Sequence, residues 1–319
     1  MFKNCITDVE GITVGQVSDK ENLTGCTVVL SPKGARAGVI VRGASPGTRE
    51  TDALHPIKGN DGIHAVLLTG GSAFGLAAAD GVMQYLEERN IGFDVSVARI
   101  PIVPAAVIFD LKAGSANARP GRQMGYDACA AASSNKISQG NEGAGTGATV
   151  GKILGYENCM KGGVGSASVV LGDGLTVGAI VAVNAFGDIR NPDNGQILAG
   201  PIIDGVPSDT SEILMTHKNL TYGFKRENTT IGVVATNADI SKTQLNKMAE
   251  LAINGLIKTI TPFGSSVDGD TVFALSYGSN KANTDLLGIM AAKAMSEAVI
   301  NACLAAESTH GILGLSLGK

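Results

Sequence analysis

The chain has 319 residues, with 25 Lys and Arg against 29 Asp and Glu, a net charge of −4, and 17% charged beside 44% hydrophobic residues. No basic excess marks a nucleic-acid surface, and an aromatic share of 4% without Trp leaves few platforms for stacking bases or sugars. The 43 Gly and 10 Pro are too few for a low-complexity chain and lack a collagen period, so a single large domain with a sizeable core is expected, and the low charge favours a homo-oligomer.

In chain order, residues 1–15 include acids and no apolar run of the signal-peptide kind. Short β-branched runs predict strands at Cys26–Leu30, Ala37–Arg42 and Ala65–Thr69. Gly70-Gly71-Ser72 then reads as a turn, with Ser72 capping an Ala-rich helix over Ser72–Glu88. Further strands are expected at Ala167–Leu171, Val177–Asn184, Thr230–Thr236 and Thr271–Tyr277. Helices are expected at Ser241–Lys258, where Ser241 and Gln244 have capping-box spacing, and at Asp285–Ala306. Arg190–Glu227 reads as a long polar connection. No membrane span is expected, because Lys293 and Glu297 interrupt the longest apolar stretch.

The usual catalytic signatures are missing. The run Gly143-Ala-Gly145-Thr-Gly147-Ala-Thr-Val-Gly151-Lys152 fails as a P-loop, because Thr146 stands where the first glycine belongs and Ile153 follows the lysine. It fails as a dinucleotide fingerprint at Ala148. Its glycines suit close passage of backbone past backbone. His55, His64, His217 and His310 show no metal spacing, and the odd set Cys5, Cys26, Cys129, Cys159 and Cys303 contains no CxxC. The expectation is no cofactor, no metal and a reducing, cytoplasmic setting. Without a secretion signal, the sequons at Asn22, Asn219 and Asn228 read as chance matches.

A Ser–His–Asp triad stays open, because its partners meet only in space, but no nucleophile elbow anchors one, which points a hydrolase toward a base other than histidine. At Glu227-Asn228-Thr229-Thr230 a polar segment meets a buried-looking strand. The residues suit a plain turn into a strand. They also suit self-cleavage, in which the Thr229 hydroxyl attacks the preceding carbonyl and the freed α-amine, with an ordinary pKa near ~8, becomes the base for that hydroxyl. Downstream, Asp268 and Asp270 are separated by one residue and share a face if extended. Close carboxylates raise a pKa or pair with an ammonium.

With these motifs in place, the chain resembles the self-processing amide hydrolases that include the D-aminopeptidase/esterase, the β-peptidyl aminopeptidases and the nylon-oligomer hydrolase. The resemblance is carried nearly end to end by Arg42-Gly-Ala-Ser-Pro-Gly-Thr-Arg-Glu-Thr51, Leu67-Leu-Thr-Gly-Gly-Ser-Ala-Phe-Gly-Leu76, Gly143–Lys152, Val181-Ala-Val-Asn-Ala-Phe-Gly-Asp188, Asn228-Thr-Thr-Ile231 and Asp268-Gly-Asp-Thr271. It implies an α+β fold, a four-layer αββα sandwich cut between Asn228 and Thr229 into chains 1–228 and 229–319. It also implies Thr229 as nucleophile, Asn184 as oxyanion donor, Lys152 as a group that sets the nucleophile's protonation state, and Asp268 and Asp270 as an orienting relay.

Thr229 and the Asp-x-Asp pair are closer to the nylon-oligomer branch than to the Ser nucleophile and Ser-x-Glu of the aminopeptidase branch. A tyrosine that the family places near the oxyanion falls here on Phe109, with Tyr126 as the substitute. The expected substrate is a small amide, ester or peptide. An acyltransferase resembling ornithine acetyltransferase and a non-catalytic assembly protein are the alternatives.

Overall fold

The computed structural model describes residues 2–60, 62–217 and 227–316. Two sheets lie face to face and are joined by one long strand. The first contains β1 (Thr13–Asp19), β2 (Thr24–Val41), β3 (Thr48–Arg49), β4 (Ile63–Thr69) and β5 (Ala105–Val107). The second contains β6 (Gly163–Val170), β7 (Thr176–Asn184), β8 (Thr229–Ala238) and β9 (Thr271–Asn280), and is completed by the second half of β2. Cys26 to Leu30 of β2 pair with β4, and Arg36 to Val41 pair with β9. The two strands expected at Cys26–Leu30 and Ala37–Arg42 are therefore one 18-residue strand that changes sheet.

Three apolar layers hold this stack. Between the sheets, Val29, Leu68 and Ile108 meet Ile180, Ile231, Val233, Phe273 and Leu275. Alternate residues of the same strands, Val181, Val234 and Val272, face outward onto α4 (Lys242–Thr259) and α5 (Thr284–Leu304). On the other side Val28 and Leu67 face α1 (Ala78–Glu87) and α2 (Arg122–Ala130) through Val82, Leu86, Ala128 and Cys129. The result is the expected four-layer αββα sandwich. Each fully buried Val, Leu or Phe contributes roughly 1.5–3 kcal/mol. Because both faces are covered, β7 is buried at all nine positions and reads in sequence as a continuous apolar run.

The α4 start follows its sequence signal: Ser241 Oγ accepts from the Gln244 N–H, and Gln244 Oε1 accepts from the Ser241 N–H at 2.9 Å. α5 is the one described helix long and apolar enough to cross a membrane, yet 56% of that stretch is buried inside the fold. The first helical segment differs from expectation. Its N-cap is Gly71, Ser72 lies inside at φ 53°, and a 3-10 turn over Ser72–Ala77 precedes α1. The turn is held by Asp110, whose Oδ1 accepts from the Gly71 N–H at 2.7 Å.

The connection expected over 190–227 also contains regular structure. Short strands at Ile197–Ala199, Ile202–Ile203 and Val206–Pro207 lead into α3 (Thr210–Thr216). Asp209 caps α3 by accepting from the Ser211 and Glu212 N–H groups. Lys218, Asn219, Lys225 and Arg226 of that connection lie outside the described residues.

Candidate active site

The site is built where the strands of the second sheet end. β7 and β8 are antiparallel, and their register places Asn184 opposite Thr229. β8 and β9 are parallel, and an isolated bridge just ahead of them pairs Asn228 with Asp268. Three segments far apart in sequence thus bring Asn184, Thr229 and the Asp268-Gly269-Asp270 turn together. The side chains of Asn184, Thr229 and Asp268 are buried, as are those of Asp270, Lys152 and Asn228.

Lys152 reaches the cluster from the glycine-rich run. A short strand, Thr149–Val150, pairs with Met160–Lys161, and Gly151 then turns the chain at φ 71°. A Cβ there would stand 2.2 Å from the Gly200 carbonyl carbon, so this position requires glycine in both conformation and space. Lys152 Nζ donates to Asn184 Oδ1 at 2.8 Å and to the Asn184 carbonyl at 2.9 Å. Burial pushes its amine down to about 7. The Thr149 N–H also donates to Asn184 Oδ1, at 3.0 Å. These contacts fix which end of the Asn184 amide is oxygen, and so aim Nδ2 the other way. Nδ2 donates to the carbonyls of Phe109 and Glu227, each at 3.2 Å.

The Asn228–Thr229 peptide is held from both sides. The Thr229 hydroxyl donates to the Asn228 carbonyl oxygen, and the Gly269 N–H donates to that same oxygen at 2.9 Å. A Cβ on Gly269 would lie 2.9 Å from Thr229 Oγ1 and 2.5 Å from the Ser45 carbonyl oxygen, so only glycine fits between the two aspartates. Asp270 Oδ1 accepts from the Thr230 N–H at 2.6 Å. Its Oδ2 is buried with no hydrogen-bond partner among the described residues. Asp268 accepts from the N–H and hydroxyl of Ser265 and from the Phe186 N–H. Burial raises the Asp268 carboxyl, while these donors and Lys152 act against the rise. Burial and the adjacent Asp268 charge hold Asp270 well above the ordinary carboxylate range.

Of the expected residues, the structure gathers Lys152, Asn184, Asn228, Thr229, Asp268 and Asp270. Phe109 is beside them through its carbonyl and has no hydroxyl to offer. Tyr126 is set apart: it lies on α2, its hydroxyl donates to Glu88 at 2.8 Å, and its ring packs edge-on against Tyr85. Sequence reading missed Gly269, Thr149 and Ser265. Gly269 was visible as the spacer of Asp-Gly-Asp, but nothing local says that its N–H meets the Asn228 carbonyl. The described residues contain no His, Cys, Asp and Glu group suited to a metal ion.

The arrangement offers a hydroxyl against a carbonyl, a second donor on that carbonyl, a lysine whose pKa burial brings down to about 7, and two buried carboxyls one residue apart. The model of Peptidase family S58 matches residues 4–316. An uncharacterized aminopeptidase of Mycobacterium leprae is 41% identical over 97% of this chain and 92% of its own length. A 6-aminohexanoate-oligomer endohydrolase of a Kocuria species is 31% identical over 92% and 84%. Among solved structures, the L-aminopeptidase D-Ala-esterase/amidase of Ochrobactrum anthropi, described as a variant of the Ntn hydrolase fold, aligns with a TM-score of 0.72 at 22% identity, over 98% of this chain and 91% of that one. A Burkholderia β-aminopeptidase aligns with a TM-score of 0.69 at 21% identity, over 99% and 91%. With the family matched across almost its whole length, the chain belongs to peptidase family S58 and is a hydrolase of peptide or amide bonds.

Proposed function

We propose that the chain cuts itself between Asn228 and Thr229 and then uses Thr229 as an N-terminal nucleophile on small amides, esters or peptides. The observation that carries this reading is the buried Thr229 hydroxyl seated on the Asn228 carbonyl, with the Gly269 N–H on the same oxygen. Attack by Thr229 Oγ1 on the Asn228 carbonyl carbon moves the acyl group from nitrogen to oxygen. Charge that builds on the carbonyl oxygen meets the Gly269 donor. Water then opens the ester, its hydroxyl remaining on Asn228 as a carboxyl and its proton going to Thr229. The cut turns the Thr229 amide nitrogen into an amine, next in sequence to the Thr230 N–H that Asp270 Oδ1 accepts, and Asp270 Oδ2 is buried with no hydrogen-bond partner among the described residues.

In turnover, that amine takes the hydroxyl proton, an acyl-enzyme forms on Thr229, and water releases it. Asn184 Nδ2, no longer occupied by the Glu227 carbonyl, donates to the substrate oxyanion. Lys152 fixes Asn184 and, being near-neutral, tunes the protonation of Thr229. Asp268 and Asp270 orient the new terminus.

The five thiols, all free and buried, support a cytoplasmic setting. Ile257 and Ile289, apolar and more than half exposed on α4 and α5, support assembly of the cut heterodimers into a homo-oligomer.

An intact-mass spectrum tests the core of the reading. Chains of 228 and 91 residues are expected. An active protein that stays at 319 residues overturns it. Product analysis with an added amine acceptor separates hydrolysis from acyl transfer.

A further inference from the structure

In the uncut chain, Glu227 occupies a built subsite. It lies two residues before Thr229 and is held at both ends. Its carboxylate Oε1 accepts from Lys112 Nζ at 2.6 Å, and its carbonyl accepts from Asn184 Nδ2 at 3.2 Å. The Glu227 side chain is 16% exposed and Lys112 42%, so the acid is mostly enclosed while the lysine stays reachable from solvent. Lys112 Nζ also lies 5.7 Å from the centre of the Tyr156 ring, and Lys152 Nζ lies 5.9 Å from that same ring. Asn184, Lys152, Tyr156 and Lys112 therefore form one continuous wall, running from the nucleophile outward along the acyl side of the bond.

Cleavage would empty this subsite. The new α-carboxylate at Asn228, with an ordinary pKa of roughly 3.5, would form between Asp268 and Asp270, where the Gly269 N–H holds the Asn228 oxygen. Three carboxyl groups in one buried place repel one another wherever they ionise. The segment ending at Asn228 would then have to leave for Thr229 to meet a substrate, and the Glu227 carboxylate would leave with it. Lys112 then has no other carboxylate within ion-pair distance among the described residues.

We propose that Lys112 is a specificity-determining residue of the mature enzyme. It binds a carboxylate carried by the substrate unit one position upstream of the unit whose carbonyl Thr229 attacks. The substrate class is an acidic peptide or oligoamide with at least two units on the acyl side, its carboxylate taking the place on Lys112 that the Glu227 side chain holds in the uncut chain, while Asn184 Nδ2 is left to the oxyanion. This rests on Thr229 being the nucleophile.

The test uses the matured full-length protein and three matched chromogenic anilides: acetyl-Glu-Asn, acetyl-Gln-Asn and acetyl-Lys-Asn p-nitroanilide. A partly exposed ion pair predicts about a fivefold preference in kcat/KM for the Glu over the Gln substrate. The preference is expected in KM, since the contact is far from the reacting atoms. Lys112→Gln is expected to abolish it, and Lys112→Glu to move it to the Lys substrate. A wild-type enzyme indifferent to the three charges overturns the proposal, as does a preference that survives Lys112→Gln. Failure to hydrolyse any of the three, with turnover of an unacetylated Asn anilide intact, also overturns it, by closing the site to a second acyl unit. An enzyme that is uncut, or that keeps its activity in Thr229→Ala, fails at the earlier reading instead.

Discussion

Two buried polar clusters hang on the same glycine-rich stretch, and they are completed differently. In one, Lys161 Nζ donates to the carbonyls of Thr146 and Ala148 at 2.9 and 2.7 Å. Nearby, Asp110 accepts from the Gly71 N–H and the Thr24 hydroxyl, both at 2.7 Å. Lys161 and Asp110 each end on fixed partners. In the other cluster, Lys152 ends on both the side chain and the carbonyl of Asn184, but Asp270 Oδ2 and Thr230 Oγ1 are buried without partners among the described residues. Burial lowers both lysines, Lys152 to about 7 and Lys161 to about 8. Perturbed basicity therefore does not separate a scaffold from the proposed reaction centre. What separates them is whether the polar atoms are already spent.

This contrast can be broken experimentally at each residue. The largest effect is expected at Thr229. Thr229→Ala should leave a 319-residue chain by mass spectrometry and lower turnover by a factor on the order of 10⁴–10⁶; a cut and active variant would move the nucleophile elsewhere. Asn184→Ala in already cleaved enzyme removes the proposed oxyanion donor and should cost roughly 10²–10³ in kcat, read by steady-state kinetics.

Lys152 is expected to set a pH limb. Its neutral form predominates above about 7, so kcat/KM should rise with pH through that value if the uncharged amine is the active form. Lys152→Met should lose that limb as well as rate. Gly269→Ala places a methyl group against Thr229 Oγ1 and should slow self-cleavage, followed on a denaturing gel over time, more than it lowers the thermal midpoint.

The smallest effect on chemistry is expected at Lys161. Lys161→Met takes the lysine donor from the buried Thr146 carbonyl and leaves the Ala148 carbonyl with the Gly162 N–H alone, and should cost roughly 1–3 kcal/mol of stability in a urea titration. The pH limb should stay where it is. A shifted limb would join the two clusters into one functional unit.

Much of this fold was legible because its strands are buried on both faces. Val177–Asn184 and Thr230–Thr236 announce themselves as unbroken apolar runs, and Ser241 with Gln244 announces a helix start. α2 was not legible: Gly125 and its polar residues carry no clear period, and its apolar contact with the first sheet runs through Ala128 and Cys129. The 18-residue strand read as two, because Ser31 to Gly34 at its middle looks like a turn and in fact marks the change of sheet. In the site, single residues were legible by type, as with Thr229 and the Asp pair. Contacts made by backbone were not. The Gly269 N–H on the Asn228 carbonyl, and Lys112 on Glu227, depend on segments tens of residues apart and leave no trace in either segment alone.

The order of strands in the second sheet has a further consequence. β8 and β9 lie side by side, flanked by β7 on one edge and by β2 on the other. A cut before Thr229 would assign the two inner strands to the short fragment and both flanking strands to the long one. The short fragment would then be clasped along two hydrogen-bonded edges, and could not come away without tearing the sheet open on each side. Before the cut, recovery from denaturation is a first-order event within one chain. After it, recovery requires two separated molecules to meet, so its yield should depend on protein concentration, and the processed enzyme's durability becomes a matter of how slowly it opens.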